Sequence, residues 1–154
     1  MVTFAQGGSA PNAGPFPGGN VLDAFLSVSN ELSSPKVLAC PSDTKTKATS
    51  FAQNPPISVA NIYYFIGLDA EETKPQTLLT GDRNITGGPN WTSDGNGNPT
   101  PNPAVAGWDA TIHNKGGNLG LGDGSVQQTT ESTVVKQIES ALRNNPGNCR
   151  IVKP

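Results

Sequence analysis

The sequence is short of charge and of the side chains that do most enzymatic work. Lys, Arg, Asp and Glu together make up 14% of its 154 residues, against about a quarter in a typical soluble domain, and it holds one histidine. The formal net charge is −2 with no basic stripe, which argues against nucleic acid as the main partner. No apolar run approaches the roughly 20 residues that span a bilayer. The first 19 residues, MVTFAQGGSAPNAGPFPGG, have neither a basic n-region nor an apolar h-region. The two cysteines, Cys40 and Cys149, form no CxxC pair, and with a single histidine they make a poor zinc site. No serine sits in G-x-S-x-G, so a Ser/His/Asp triad would have to recruit His113. The composition therefore points away from an enzyme.

What is abundant is backbone punctuation: 18 Gly and 14 Pro. With few charges and regular apolar clusters, this is a loop-rich, β-containing chain rather than a disordered one. Its length suits one domain burying roughly two thirds of its unfolded surface. Residues 1–19 read as a linker or extended arm, leaving residues 20–154 as a single domain. Asn20 is placed to cap a short amphipathic helix over VLDAFLSVSNEL, where Val21, Leu22, Phe25, Leu26 and Leu32 recur at helical spacing and Pro35 ends the run. KVLACP reads as a brief strand, ISVANIYYFIGL as the best strand of the chain, and QTLLTGD as a shorter one. Residues 84–107 are nearly pure Gly/Asn/Pro-rich loop.

WDATIH alternates, with Trp108, Ala110 and Ile112 on one face and Asp109, Thr111 and His113 on the other. Turns at residues 114–117 and 122–124 then give a three-stranded meander over residues 108–129. Ser132 can cap a helix over TVVKQIESALRNN, whose stripe is Val134, Val135, Ile138, Ala141 and Leu142. NCRIVKP is a tail able to add an edge strand. The fold class is α+β: an N-terminal helix packed on a small antiparallel sheet, a long loop, and a C-terminal helix.

HNKGGNLGLGDGSVQQ, residues 113–128, carries the histidine ten residues ahead of Asp123-Gly124. The meander puts His113 and Asp123 at opposite ends of one strand, about 16 Å apart, far beyond hydrogen-bond reach. Asp123 then reads as turn chemistry, with Gly116, Gly117 and Gly122 relaxing the turns, and Gly120 as a point of close approach by another backbone or side chain on the face opposite Leu119 and Leu121. His113 reads as a loop anchor.

A calcium cage is a weaker alternative. Asp94, Asn96 and Asn98 alternate as in the first half of an EF-hand loop, but Pro99 replaces the turn glycine and Val105 the bidentate glutamate. Asp109 or Asp123 would have to complete the cage. NIT at residue 84 and NWT at residue 90 fit the N-glycosylation tripeptide. Cys40 and Cys149 are either a disulfide closing most of the domain, worth about 4 to 5 kcal/mol, or two unrelated thiols.

The H-x9-DG spacing of His113 to Asp123-Gly124, together with LACPSD at 38–43, IYYFIG at 62–67 and GDRN at 81–84, resembles the prepilin-type H-x9-DG proteins of planctomycete and verrucomicrobial bacteria. The resemblance covers most of residues 35–130 and makes His113, Asp123 and Gly124 the signature positions. It implies a non-catalytic pseudopilin or type IV pilin-like subunit of a type II secretion or pilus-like system. Such a subunit is exported to the periplasm or cell surface and held in the inner membrane by an N-terminal apolar helix until it assembles. Its partners would be other pilin or pseudopilin subunits and, for the precursor, prepilin peptidase. Major pseudopilins often bind Ca²⁺ in a loop before the final strands, a place comparable to residues 84–107. The apolar helix and its cleavage motif are absent from these residues. In an oxidising compartment the Cys40–Cys149 bridge is the expected state. The alternative is a secreted binding module offering Trp91, Trp108, Tyr63 and Tyr64 to glycans. A hydrolase built on His113 ranks last.

Overall fold

Val21, Ala24 and Phe25 recur at three- and four-residue spacing, and in the computed structural model they are the buried side of a short helix, α1 (Val21–Ser27). The structure describes residues 21–51, 57–100 and 102–154, so Asn20 and the expected arm over residues 1–19 lie outside the described residues. The chain divides into two compact units, one holding the residues up to Tyr64 together with Lys153 and Pro154, the other Phe65–Val152.

In the first unit the expected single helix is broken after about two turns. A further turn, α2 (Ser29–Leu32), follows and ends at Ser33, whose φ of 61° is left-handed. KVLACP is not a strand. Pro35 pre-sets a helical φ, the Ser34 hydroxyl accepts the Lys36 N–H at 3.3 Å, and a 3-10 turn forms over Pro35–Leu38. A second 3-10 turn, Val59–Asn61, occupies the first half of the long β-rich segment, because the Asn61 side chain accepts the Ser58 N–H at 2.9 Å. Lys45 ties the loop to this turn: its ammonium donates to the Ile62 carbonyl at 2.8 Å, and the Tyr63 hydroxyl donates to the Lys45 carbonyl. Leu38, Cys40, Ile57, Ile62 and Tyr63 are buried.

The second unit is a six-stranded antiparallel sheet with one long helix. Its strands are β1 (Tyr64–Gly67), β2 (Leu78–Asp82), β4 (Asn90–Thr92), β6 (Gly116–Leu121), β7 (Val126–Thr130) and β8 (Asn148–Val152), in the order β4-β8-β1-β2-β6-β7. Two residues each of β3 (Ile85–Thr86) and β5 (Gly107–Trp108) pair as a separate ribbon. The helix α3 (Glu131–Asn144) starts two residues earlier than Ser132 would set it: the Thr133 hydroxyl accepts the Thr130 N–H at 2.7 Å, so Thr130 is the cap. Val134, Ile138, Ala141 and Leu142 repeat at i, i+4, i+7 and i+8 and meet Phe65, Leu78, Leu119, Leu121 and Ile151 of the sheet in one core. Each such aliphatic side chain contributes about 1.5 to 3 kcal/mol on burial.

Three further expectations are corrected. WDATIH is a strand only at Trp108. Residues 109–115 turn away from the ribbon, and Ile112 is buried from a turn rather than from a pleat. The meander is accordingly a single hairpin, β6–β7, with β2 as the other neighbour of β6. NCRIVKP is no edge strand, since β8 lies between β4 and β1, with Trp91 opposite Cys149 and Ile66 opposite Val152. Gly120 does face a close neighbour: a Cβ there would stand 2.9 Å from the Thr80 methyl carbon.

Candidate functional site

Of the signature residues, His113 lies at the end of β2, beside two residues of GDRN. Asp82 and Asn84, the second and fourth residues of GDRN, are both 1% exposed. Asp82 Oδ2 accepts the backbone N–H of Asn118 at 2.6 Å and its side-chain Nδ2–H at 3.0 Å, which fixes β2 to β6 by charge-assisted bonds. His113 Nε2 stands 3.5 Å from the same oxygen, with the imidazole about one-fifth exposed and the carboxylate 1% exposed. Asn84 Nδ2 lies 3.0 Å from each of three backbone carbonyls, those of Asp109, Ile112 and Gly116. Its own carbonyl accepts the Asp109 N–H at 2.9 Å. One side chain thus closes the whole loop from β5 to β6, while its Oδ1 is buried without a hydrogen-bond partner.

The loop needs such a clamp. His113, Asn114 and Lys115 are three successive non-glycine residues at φ of 55°, 48° and 62°. A left-handed conformation costs an L-residue roughly 1 to 2 kcal/mol. Three in a row persist only where neighbouring bonds hold them. The pair expected to relieve this turn, Gly116-Gly117, lies inside β6 instead. A Cβ on Gly117 would fall 2.5 Å from the Trp108 ring, so this glycine makes room for an indole whose Nε1–H donates to Thr129 at 3.1 Å.

Asp123 and Gly124 occupy the β6–β7 turn, as turn chemistry requires. Gly124 has φ of 83°, and Asp123 Oδ1 accepts the Ser125 N–H at 2.9 Å. Hydrogen bonds from Ser125 hold the Asp123 carboxyl below the usual carboxylate range. His113 and Asp123 sit at opposite ends of β6, about 17 Å of strand apart, and make no dyad. The partner of His113 is Asp82. No spacing rule joins Asp82 and Asn84 of GDRN to His113, 31 and 29 positions on. The available signal was chemical: a charged and an amide side chain following an apolar strand, in a chain with few charges.

The calcium candidates fall in two separate turns. Asp94 Oδ1 accepts the backbone N–H groups of Asn96 and Asn98, each at 2.9 Å, and Oδ2 accepts the Asn98 amide at 3.0 Å. The Asn98 side chain and then its backbone depress the Asp94 carboxyl, so these lone pairs are engaged by donors. Asp109 Oδ1 accepts the Thr111 N–H at 2.8 Å and also the Thr111 hydroxyl. Cys40 and Cys149 are both buried, and no disulfide joins them in this structure. Cys149 instead packs in the core of the second unit opposite Trp91, where burial, and then the nearby Asp69 charge, push its thiol up to about 12. Of the two glycosylation tripeptides, Asn84 is buried and Asn90 exposed. Trp91, Trp108 and Tyr63 are at most 2% exposed, which removes them as glycan platforms; Tyr64 is half-buried. No known protein family, no curated protein and no solved structure matches the chain.

Proposed function

We propose that this chain is the globular part of a non-catalytic, pilin-like subunit, exported and assembled with other subunits of a type II secretion or pilus-like system. The observation that supports this reading is that two pieces of the motif set, GDRN and the His113 loop, meet as structural parts. Asp82 and Asn84 of GDRN grip the loop that carries His113, while Asp123-Gly124 shapes the next turn. Residues that hold a loop in an unusual backbone suit a scaffold that presents loops to neighbours. The imidazole of His113 faces a carboxylate already bonded to Asn118. No helix of the described residues is long and apolar enough to cross a membrane, so anchoring in this proposal rests on a preceding segment.

The test is to express the complete reading frame, with the codons upstream of Met1, in a host carrying a prepilin peptidase. The expected result is an apolar stretch of about 20 residues ahead of this domain and a peptidase-dependent loss of mass at its start. A complete gene with no apolar stretch, or a precursor the peptidase leaves intact, removes the pilin reading.

A further inference from the structure

The two edges of the sheet are treated differently. At one edge β4 is three residues long, and its own chain folds back over it: Thr100 N–H donates to the Thr92 carbonyl at 3.0 Å, and Ser93 bridges Pro99. A returning segment with proline is a standard way to stop an edge from pairing. At the other edge, none of these devices is found on β7 among the described residues. Its residues Val126, Gln127, Gln128, Thr129 and Thr130 carry no charge and no proline, and all but Thr129 are exposed, Val126 to 72%.

The direction of the backbone groups follows from the hairpin. Leu121 N–H donates to the Ser125 carbonyl at 2.9 Å, which makes Leu121/Ser125 a hydrogen-bonded position of the β6–β7 ladder. Such positions alternate along an antiparallel pair. With Leu119 opposite Gln127 and Gly117 opposite Thr129, the bonded positions on β7 are Gln127 and Thr129. Val126 and Gln128 therefore turn both N–H and C=O away from β6, toward the open edge. Thr130 is the next residue in that series, but its N–H is already taken by the Thr133 hydroxyl.

We propose that β7 is a self-association edge, pairing antiparallel with β7 of a second copy about a two-fold axis through Gln127. Two donor-acceptor residues spaced two apart form a self-complementary pattern: Val126 of each copy meets Gln128 of the other, and four backbone hydrogen bonds form. A neutral strand brings no repulsion along this line. Charge enters at the ends, where Asp123 of one copy comes to the end that carries Glu131 of the other, with Lys115 3.8 Å from that glutamate. The balance at each end is acidic, so the pairing tightens with salt or on neutralising Asp123. A five-residue strand buries well below the area of a stable dimer, so the free domain associates weakly and the contact gains strength when copies are tethered in an array. This inference stands apart from the pilin reading: it needs only the chain itself.

The test is sedimentation equilibrium of the whole chain up to millimolar concentration. The wild type is compared with Gln128→Pro, Gln128→Lys and Asp123→Asn, with circular dichroism as the check on folding. Gln128→Pro deletes an outward N–H without touching the β6 ladder; Gln128→Lys keeps the backbone and adds like charges across the axis should the proline fail to fold. The expected result is a wild-type dimer weakened at least about tenfold by either Gln128 change and tightened by Asp123→Asn or added salt. A chain that stays monomeric at millimolar concentration, or a dimer indifferent to Gln128→Lys, overturns the proposal.

Discussion

At the scale of single residues, two positions determine more of this structure than their neighbours. Gly117 exists where a Trp108 ring needs the space of a missing Cβ. Gly117→Ala is expected to destabilise the protein by about 2 kcal/mol in urea unfolding, because the buried indole must move or the strand must shift. Asn84 Nδ2 stands 3.0 Å from three carbonyls, which share its two N–H donors. Asn84→Ala leaves buried acceptors unmet and should cost about 3 kcal/mol, with amide exchange faster over residues 109–116 than elsewhere. An unchanged midpoint for Asn84→Ala would mean that the left-handed turn holds itself. The sequence made Gly117 visible as a glycine but offered the wrong reason for it, since local turn rules know nothing of an indole nine residues earlier. Asn84 looked like loop or a sugar acceptor, and only the folded chain brings the three carbonyls to it.

At the scale of elements, local rules were reliable where one element settles its own fate. Helix α3 was legible because its apolar stripe and length agree, and the hairpin at Asp123-Gly124 because the turn chemistry is local. They failed where a side chain from elsewhere decides. KVLACP became a 3-10 turn through Ser34 and Pro35, and ISVANIYYFIGL kept only its last third as strand because Asn61 closes a turn on Ser58. The tail was misjudged for a different reason: periodicity reports that NCRIVKP is a strand but not which neighbours it will find. Its interior position gives a sharp expectation. Removing residues 148–154 strips β4 and β1 of their common partner and exposes Trp91, so the truncated chain should lose its cooperative thermal transition. A truncated chain that still melts cooperatively would show that β8 is dispensable.

At the scale of the whole molecule, the few ionisable groups set how stability responds to pH. Asp94 and Asp123 have folded-state values below the ordinary 3.8, so the stability they contribute is present above about pH 4 and lost as pH falls through their folded values. Both are fully exposed, so the acid limb is shallow, and Asp94→Asn with Asp123→Asn should flatten it further in pH-dependent melting. Cys149 has the opposite sign: its folded value is raised from 9.0 to about 12, so its contribution is complete below about pH 9 and is lost as pH rises toward 12. A thiol reagent at pH 8 should therefore leave Cys149 untouched in the native protein and modify it only after unfolding; rapid native modification would refute its burial. The place of β8 between β4 and β1 also has a temporal side. Of the strands among the described residues it leaves the ribosome last, and Ile66 must wait for Val152, a partner more than half the chain away. Loop closure over that distance is slow, so β1 and β4 stay without their common partner until synthesis of this strand is finished.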